Sequence, residues 1–120
     1  MIEINYGDRK NHLVTLIDSS TKEPFDLTGY RVLFCAKEKL DHPDSAIRIS
    51  LDSDDGSIIV SKADEGEIEL RFLREHTLVP PRDYYYDIRC LENNTGEPVS
   101  SDYDILRIKK MVREKFPGEV

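Results

Sequence analysis

Glu67-Ile68-Glu69-Leu70-Arg71-Phe72 alternates charged and apolar side chains without a break. Residues two apart share one face of an extended strand, whereas a helix would scatter the same apolar groups around its circumference. The segment is predicted to be a strand with one buried and one solvated face, the pattern of an antiparallel sheet. The period recurs in YRVLFCAK (residues 30–37), where Tyr30, Val32, Phe34 and Ala36 share a face. It recurs again in YYYDIRCL (residues 84–91), with Tyr84, Tyr86, Ile88 and Cys90 on one side and Tyr85, Asp87 and Arg89 on the other. The expected core is Val32, Phe34, Ile68, Leu70, Phe72, Tyr84, Tyr86 and Ile88, with Arg31, Leu33, Glu69, Arg71, Tyr85 and Asp87 more exposed.

Turn chemistry cuts the chain between such segments. Asp18-Ser19-Ser20-Thr21 ends a strand at 12–17, and Ala63-Asp64-Glu65-Gly66 separates 57–61 from 67–73. Pro80-Pro81 precedes the tyrosine strand, and Asn93-Asn94-Thr95-Gly96 makes a hairpin-like turn towards a last strand at 101–109. Residues 37–46 fit a loop or a helical turn. Residues 109–116 fit a continuation of the last strand or a short helix before Pro117-Gly118. Turns at this spacing predict an all-β, immunoglobulin-like, two-sheet antiparallel β-sandwich of about seven or eight strands. A chain of 120 residues has room for one such domain, assigned to 1–116 with a short tail at 117–120.

Strand parity also places the two cysteines. Cys35 is out of phase with Val32, Phe34 and Ala36 and should face outward, whereas Cys90 is in phase with the buried face of its strand. Side chains on opposite faces do not converge as a disulfide requires, so two free thiols are expected.

A net charge of −7 opposes binding to phosphate backbones, and the basic residues are scattered apart from Arg107, Lys109, Lys110 and Arg113. No apolar run approaches the roughly 18 residues that span a bilayer, so neither nucleic acid nor membrane is an expected partner. MIEINYGDRKNH has acidic and polar residues where a signal peptide needs a basic and then an apolar stretch, which argues against export by that route.

Candidate chemistry is thin. Asp52-Ser53-Asp54-Asp55-Gly56 offers oxygen ligands for calcium, but an EF-hand loop begun at Asp52 would need glycine at Ser57 and glutamate at Ala63. A solvated turn is the reading. His12, His42 and His76 lack metal-ligand spacing, the serines lack a glycine-flanked elbow, and nothing in sequence places a histidine beside Cys35 or Cys90. Glu65 and Glu67, around Gly66, read as an acidic turn, and the sequon Asn93-Asn94-Thr95 reads as a turn too. No catalytic residue, metal ligand or cofactor is expected. The candidates that remain are Tyr85 and Tyr103. Alternation turns Tyr85 away from the core between Asp83 and Asp87, the position of an interface anchor.

Three passages resemble a family of small phage and prophage proteins that includes the amino-terminal domains of baseplate upper proteins and related tail or fibre-adaptor modules. They are PFDLTGYRVLFCAKE, IIVSKADEGEIELRF and LVPPRDYYYDIRCLENNTGE, together most of residues 24–97. Where such proteins often carry glycine before the tyrosine strand, this chain has Arg82-Asp83, implying a type I turn or a left-handed Asp83. The resemblance implies a non-enzymatic structural or adaptor subunit of a tail or baseplate, located in the virion or in host cytoplasm during assembly. Its partners would be proteins of that assembly, including further copies of itself. The alternative is a carbohydrate- or peptide-binding module using Tyr85 and Tyr103. A small hydrolase on a β scaffold is a third, weaker reading.

Overall fold

The computed structural model describes residues 1–110. Among them are nine strands: β1 (Ile2–Asn5), β2 (Lys10–Thr15), β3 (Tyr30–Lys37), β4 (Ile49–Asp52), β5 (Ile58–Lys62), β6 (Glu67–Phe72), β7 (Asp83–Glu92), β8 (Pro98–Ser100) and β9 (Asp104–Lys109). One helical turn, α1, spans Arg74–Thr77. The strands form two sheets, and the fold is an all-β sandwich. The larger sheet runs β1-β9-β7-β3-β4 with β8 also paired to β7, and the smaller runs β2-β6-β5. Because β3 covers one edge of β7, β8 and β9 take successive stretches of the other, at Arg89–Leu91 and Asp83–Tyr86.

Several boundaries differ from expectation. Nine strands replace the seven or eight, since β1, β4 and β8 are each too short to show a period in sequence. Nor is the larger sheet wholly antiparallel: β1 lies parallel to β9, from Ile2 opposite Leu106 to Asn5 opposite Lys109. These strands are far apart in the chain, so no tight turn dictates their direction. The Met1 amine meets Asp104 at 3.0 Å at the end of this pairing. Strand β2 starts at Lys10 and ends at Thr15, with Ile17 held only by a bridge to Pro24. The last strand starts at Asp104, because Ser101 is engaged with Ile88: its amide donates to the Ile88 carbonyl and its Oγ accepts from the Ile88 amide, both at 2.9 Å. Of residues 37–46, Lys37 ends β3 and the rest form a loop that reaches a 3-10 turn at Asp44–Ala46. The reading of 109–116 falls outside the described residues beyond Lys110, as does the tail.

The core is the in-phase set. Val32, Phe34, Ile68, Leu70, Phe72 and Tyr84 are fully buried and Ile88 nearly so, while along β6 Glu67, Glu69 and Arg71 keep solvent contact. Tyr86 is only partly buried, although its ring stacks on Phe34 at 4.9 Å between centroids. Phe34 meets Phe72 of the opposite sheet edge to face at 5.3 Å, an arrangement that favours the ring quadrupoles and ties the sheets together. Tyr84 can be wholly buried because its hydroxyl donates to the Pro80 carbonyl at 2.6 Å.

Local chemistry sets the connections. In Asp26-Leu27-Thr28-Gly29 the Asp26 carboxylate accepts the Thr28 amide at 2.9 Å, which folds the chain so that Leu27 is buried and its amide reaches the Ala63 carbonyl at 2.8 Å. Gly66 has φ 66°, and a Cβ there would lie 2.6 Å from the Leu16 carbonyl and 2.8 Å from that of Phe25. Only glycine fits the corner that starts β6. The left-handed alternative for Asp83 does not occur: Lys22 is the only non-glycine residue with positive φ among those described, and Asp83 already begins β7.

Candidate interface on the outer face of the larger sheet

The register of β3 against β7 sets Leu33 opposite Arg89, Cys35 opposite Asp87 and Lys37 opposite Tyr85. All six side chains project from the outer face of the sheet. Two loops rise beside them. The 38–48 loop is held by Lys37, whose Nζ donates to the Asp44 carboxylate at 2.8 Å and to the His42 carbonyl at 3.0 Å. On the other side, the segment before β9 brings Tyr103 against Tyr85, centroids 5.8 Å apart and planes at 76°. A shallow depression of about 290 Å³ lies between these walls.

The structure thus brings together the two tyrosines singled out in sequence. Tyr103 is exposed, but Tyr85 is half-buried, because Tyr103 and the loop opposite shelter it. Asp83 and Asp87 do flank Tyr85, yet neither is a free acid: Asp83 pairs with Arg107 at 2.7 Å and Asp87 with Arg89 at 3.5 Å. The apolar part of the surface is larger than the rings alone, since Leu33, Ile47 and the exposed Leu40 also line it. Leu33 was legible as an apolar residue in an outward phase. Leu40 and Ile47 carried no periodic signal.

The other sequence candidates take ordinary structural roles. Arg31 bonds both carboxylate oxygens of Asp52 and also meets Asp54 at 3.1 Å, so a guanidinium occupies the acidic turn. Its hydrogen bond holds the Asp52 carboxyl below the usual range. The Asp55 carboxylate accepts the Ser57 amide at 2.8 Å, closing the turn. His76 accepts the Leu73 amide on Nδ1 at 2.9 Å, and His12 lies half-buried on the inner side of β2. Glu65 lies 3.7 Å from Lys62, while Glu67 accepts from Ser61 at 2.9 Å. Among the described residues no group of His, Cys, Asp and Glu is placed to hold a metal. Cys35 faces outward and Cys90 inward, as parity requires, and both are free thiols. Burial, with help from Asp87, pushes the Cys35 thiol up, and burial raises Cys90 to about 11. That is the reverse of nucleophile activation.

A roomier hollow, about 430 Å³, opens at the seam between the sheets, floored by Phe25, Ile88 and Cys90 and rimmed by Ile17 and Val99. Phe25 is the one aromatic residue in its lining. No helix among the described residues is long and apolar enough to cross a membrane.

No protein-family model matches the chain, and no curated protein is significantly similar to it. Among solved structures, the fold is similar to the N-terminal domain of phage TP901-1 ORF48, with a TM-score of 0.59 and 11% identity over 92% of this chain and 85% of that one. At that identity the similarity establishes the fold.

Proposed function

We propose that this chain is a non-enzymatic structural or adaptor subunit of a phage or prophage tail or baseplate, acting through protein contacts. The observation that carries the reading is the outer face of β3 and β7. It has paired aromatic rings, an apolar lining and neutralised charges, the composition of an interface centre with a polar rim. The likeness of the fold to a phage protein domain supports the same reading, as does the resemblance of the DLTG and tyrosine-strand passages. Assembly is then the activity, and the rings of Tyr85 and Tyr103 are its anchors.

The test uses phage particles and assembly intermediates purified from cells carrying the native gene, or Tyr85→Ala together with Tyr103→Ala. The protein should be present in wild-type particles and lost from them in the double variant, whose isolated domain still folds. Absence from wild-type particles and intermediates would sink the proposal. The same rings beside Asp87 and Arg89 favour one second reading, a carbohydrate- or peptide-binding module. Glycan-array binding abolished by the same two substitutions, with no place in the particle, would select it.

A further inference from the structure

Sheet edges either carry protection against pairing or invite it. In this sandwich the edges differ sharply. Strand β1 is four residues long and its Glu3 carbonyl is capped by Lys10 Nζ at 2.9 Å. Strand β4 is equally short and runs into the charged Asp52 turn. Strand β5 has a register break between Val60 and Lys62, and β8 is three residues long and starts with proline. Among the described residues, strand β2 has none of these devices. It is six residues long, free of proline and glycine, and in unbroken register with β6 from Lys10 opposite Phe72 to Thr15 opposite Glu67.

Two backbone bonds show which way its groups point. The Leu16 amide donates to the Gly66 carbonyl at 2.9 Å, one step beyond the strand pairing, so Leu16 turns its backbone towards the β6 side. The Arg71 amide donates to Ser57 on the β5 side at 2.8 Å, away from Asn11 opposite. By alternation, Lys10, His12 and Val14 bond β6, while Asn11, Leu13 and Thr15 direct N–H and C=O to the open edge. Leu13 is also 63% exposed, the highest value among the large apolar side chains of the described residues, and Ile17 follows on the same face.

We propose that β2 pairs antiparallel with β2 of a second copy of this chain, about a two-fold axis at Leu13, fusing two three-stranded sheets into one. The strand is self-complementary in that register. Leu13 faces Leu13 and Asn11 faces Thr15, so every outward N–H meets an outward C=O. Lys10 faces Leu16 and His12 faces Val14, so no like charges meet within the ladder. This symmetry favours a second copy over an unrelated strand. The surface belongs to the sheet opposite Tyr85 and Tyr103, and the inference does not rest on the tail reading.

Sedimentation equilibrium of the full chain over a concentration series should show the mass doubling from 13.9 kDa. Leu13→Lys sets two cations face to face, and Leu13→Pro deletes the central outward N–H without removing a bond to β6. Each should weaken the dimer on the order of tenfold or more, a change of about 1.4 kcal/mol. Val99→Lys, at an exposed apolar position on β8, should leave it intact. In the unmodified protein, hydrogen exchange at Asn11, Leu13 and Thr15 should slow as concentration rises, which decides the matter if Leu13→Pro fails to fold. A mass of one chain at the highest concentration, a dimer that survives either folded variant, or exchange at those amides independent of concentration would overturn the proposal.

Discussion

On its inner face the β3–β7 ladder presents Val32, Phe34, Ala36, Tyr84, Ile88 and Cys90, all with 4% exposure or less. On its outer face the same strands present Leu33, Cys35, Lys37, Tyr85, Asp87 and Arg89, all half-buried. One residue of phase separates the two sets. The inner face is complete: Phe34 meets Phe72 of the opposite sheet, and the deeply buried Tyr84 hydroxyl is bonded. The outer face has its charges neutralised in pairs, but among the described residues its apolar groups have only loops for cover. Substitutions inside should therefore register as stability, and substitutions outside as loss of partners.

The largest test of that contrast is Phe34→Ala against Tyr85→Ala. The first removes a ring in contact with both Phe72 and Tyr86 and should cost about 3–5 kcal/mol, a large part of the stability of an ordinary domain. The second should cost about 1 kcal/mol. Urea denaturation of both variants measures the difference, and equal losses would show that the faces are not distinct.

A smaller effect compares the cysteines. Cys90→Ser puts a hydroxyl into an apolar layer and should cost about 1–3 kcal/mol, whereas Cys35→Ser should stay within about 0.5 kcal/mol. The ranking would reverse if a bulge shifted the phase of either strand, but the continuous register from Tyr30 opposite Glu92 to Lys37 opposite Tyr85 leaves no room for one.

The same contrast explains what the sequence disclosed. Strands β3, β6 and β7 each bury three or more in-phase side chains, so their alternation was visible without knowing their neighbours. Strands β1 and β4 contribute only Ile2 and Ile4, and Ile49 and Leu51, and exist because β9 and β3 offer edges to pair with. Two apolar residues make no period. The candidate interface was half legible for a similar reason. Phase alone turned Tyr85 outward, but its contact with Tyr103 and the shelter of the 38–48 loop depend on tertiary packing. The open edge of β2 was not legible at all, since an edge is defined by which strand is missing beside it.

The smallest effect is invisible at neutral pH and is read by titration. In the inner phase, burial raises the Tyr86 phenol from its ordinary 10.0 to about 12 and the Cys90 thiol from 9.0 to about 11. Both groups ionise first in the unfolded chain. Their contribution is whole below pH 9 and is lost as pH rises from there towards 12, because the folded state then holds protons that the unfolded state has released. For the carboxylates on the outer side the sign is opposite. A hydrogen bond from Arg31 lowers Asp52, and one from Lys37 lowers Asp44, both from 3.8. Their contribution is whole above that value and is lost as pH falls through the lower folded values, where the unfolded chain binds protons first. Urea midpoints measured across pH should therefore fall at both ends. Tyr86→Phe should flatten chiefly the alkaline limb, with a small change at the acid end because its hydroxyl helps to lower Asp104, and Asp52→Asn only the acid one, weakly because exposed pairs are screened by solvent. If Asp52→Asn altered the alkaline limb, or Tyr86→Phe left that limb unchanged, the division of the ladder into a sealed face and an open one would fail on its own terms.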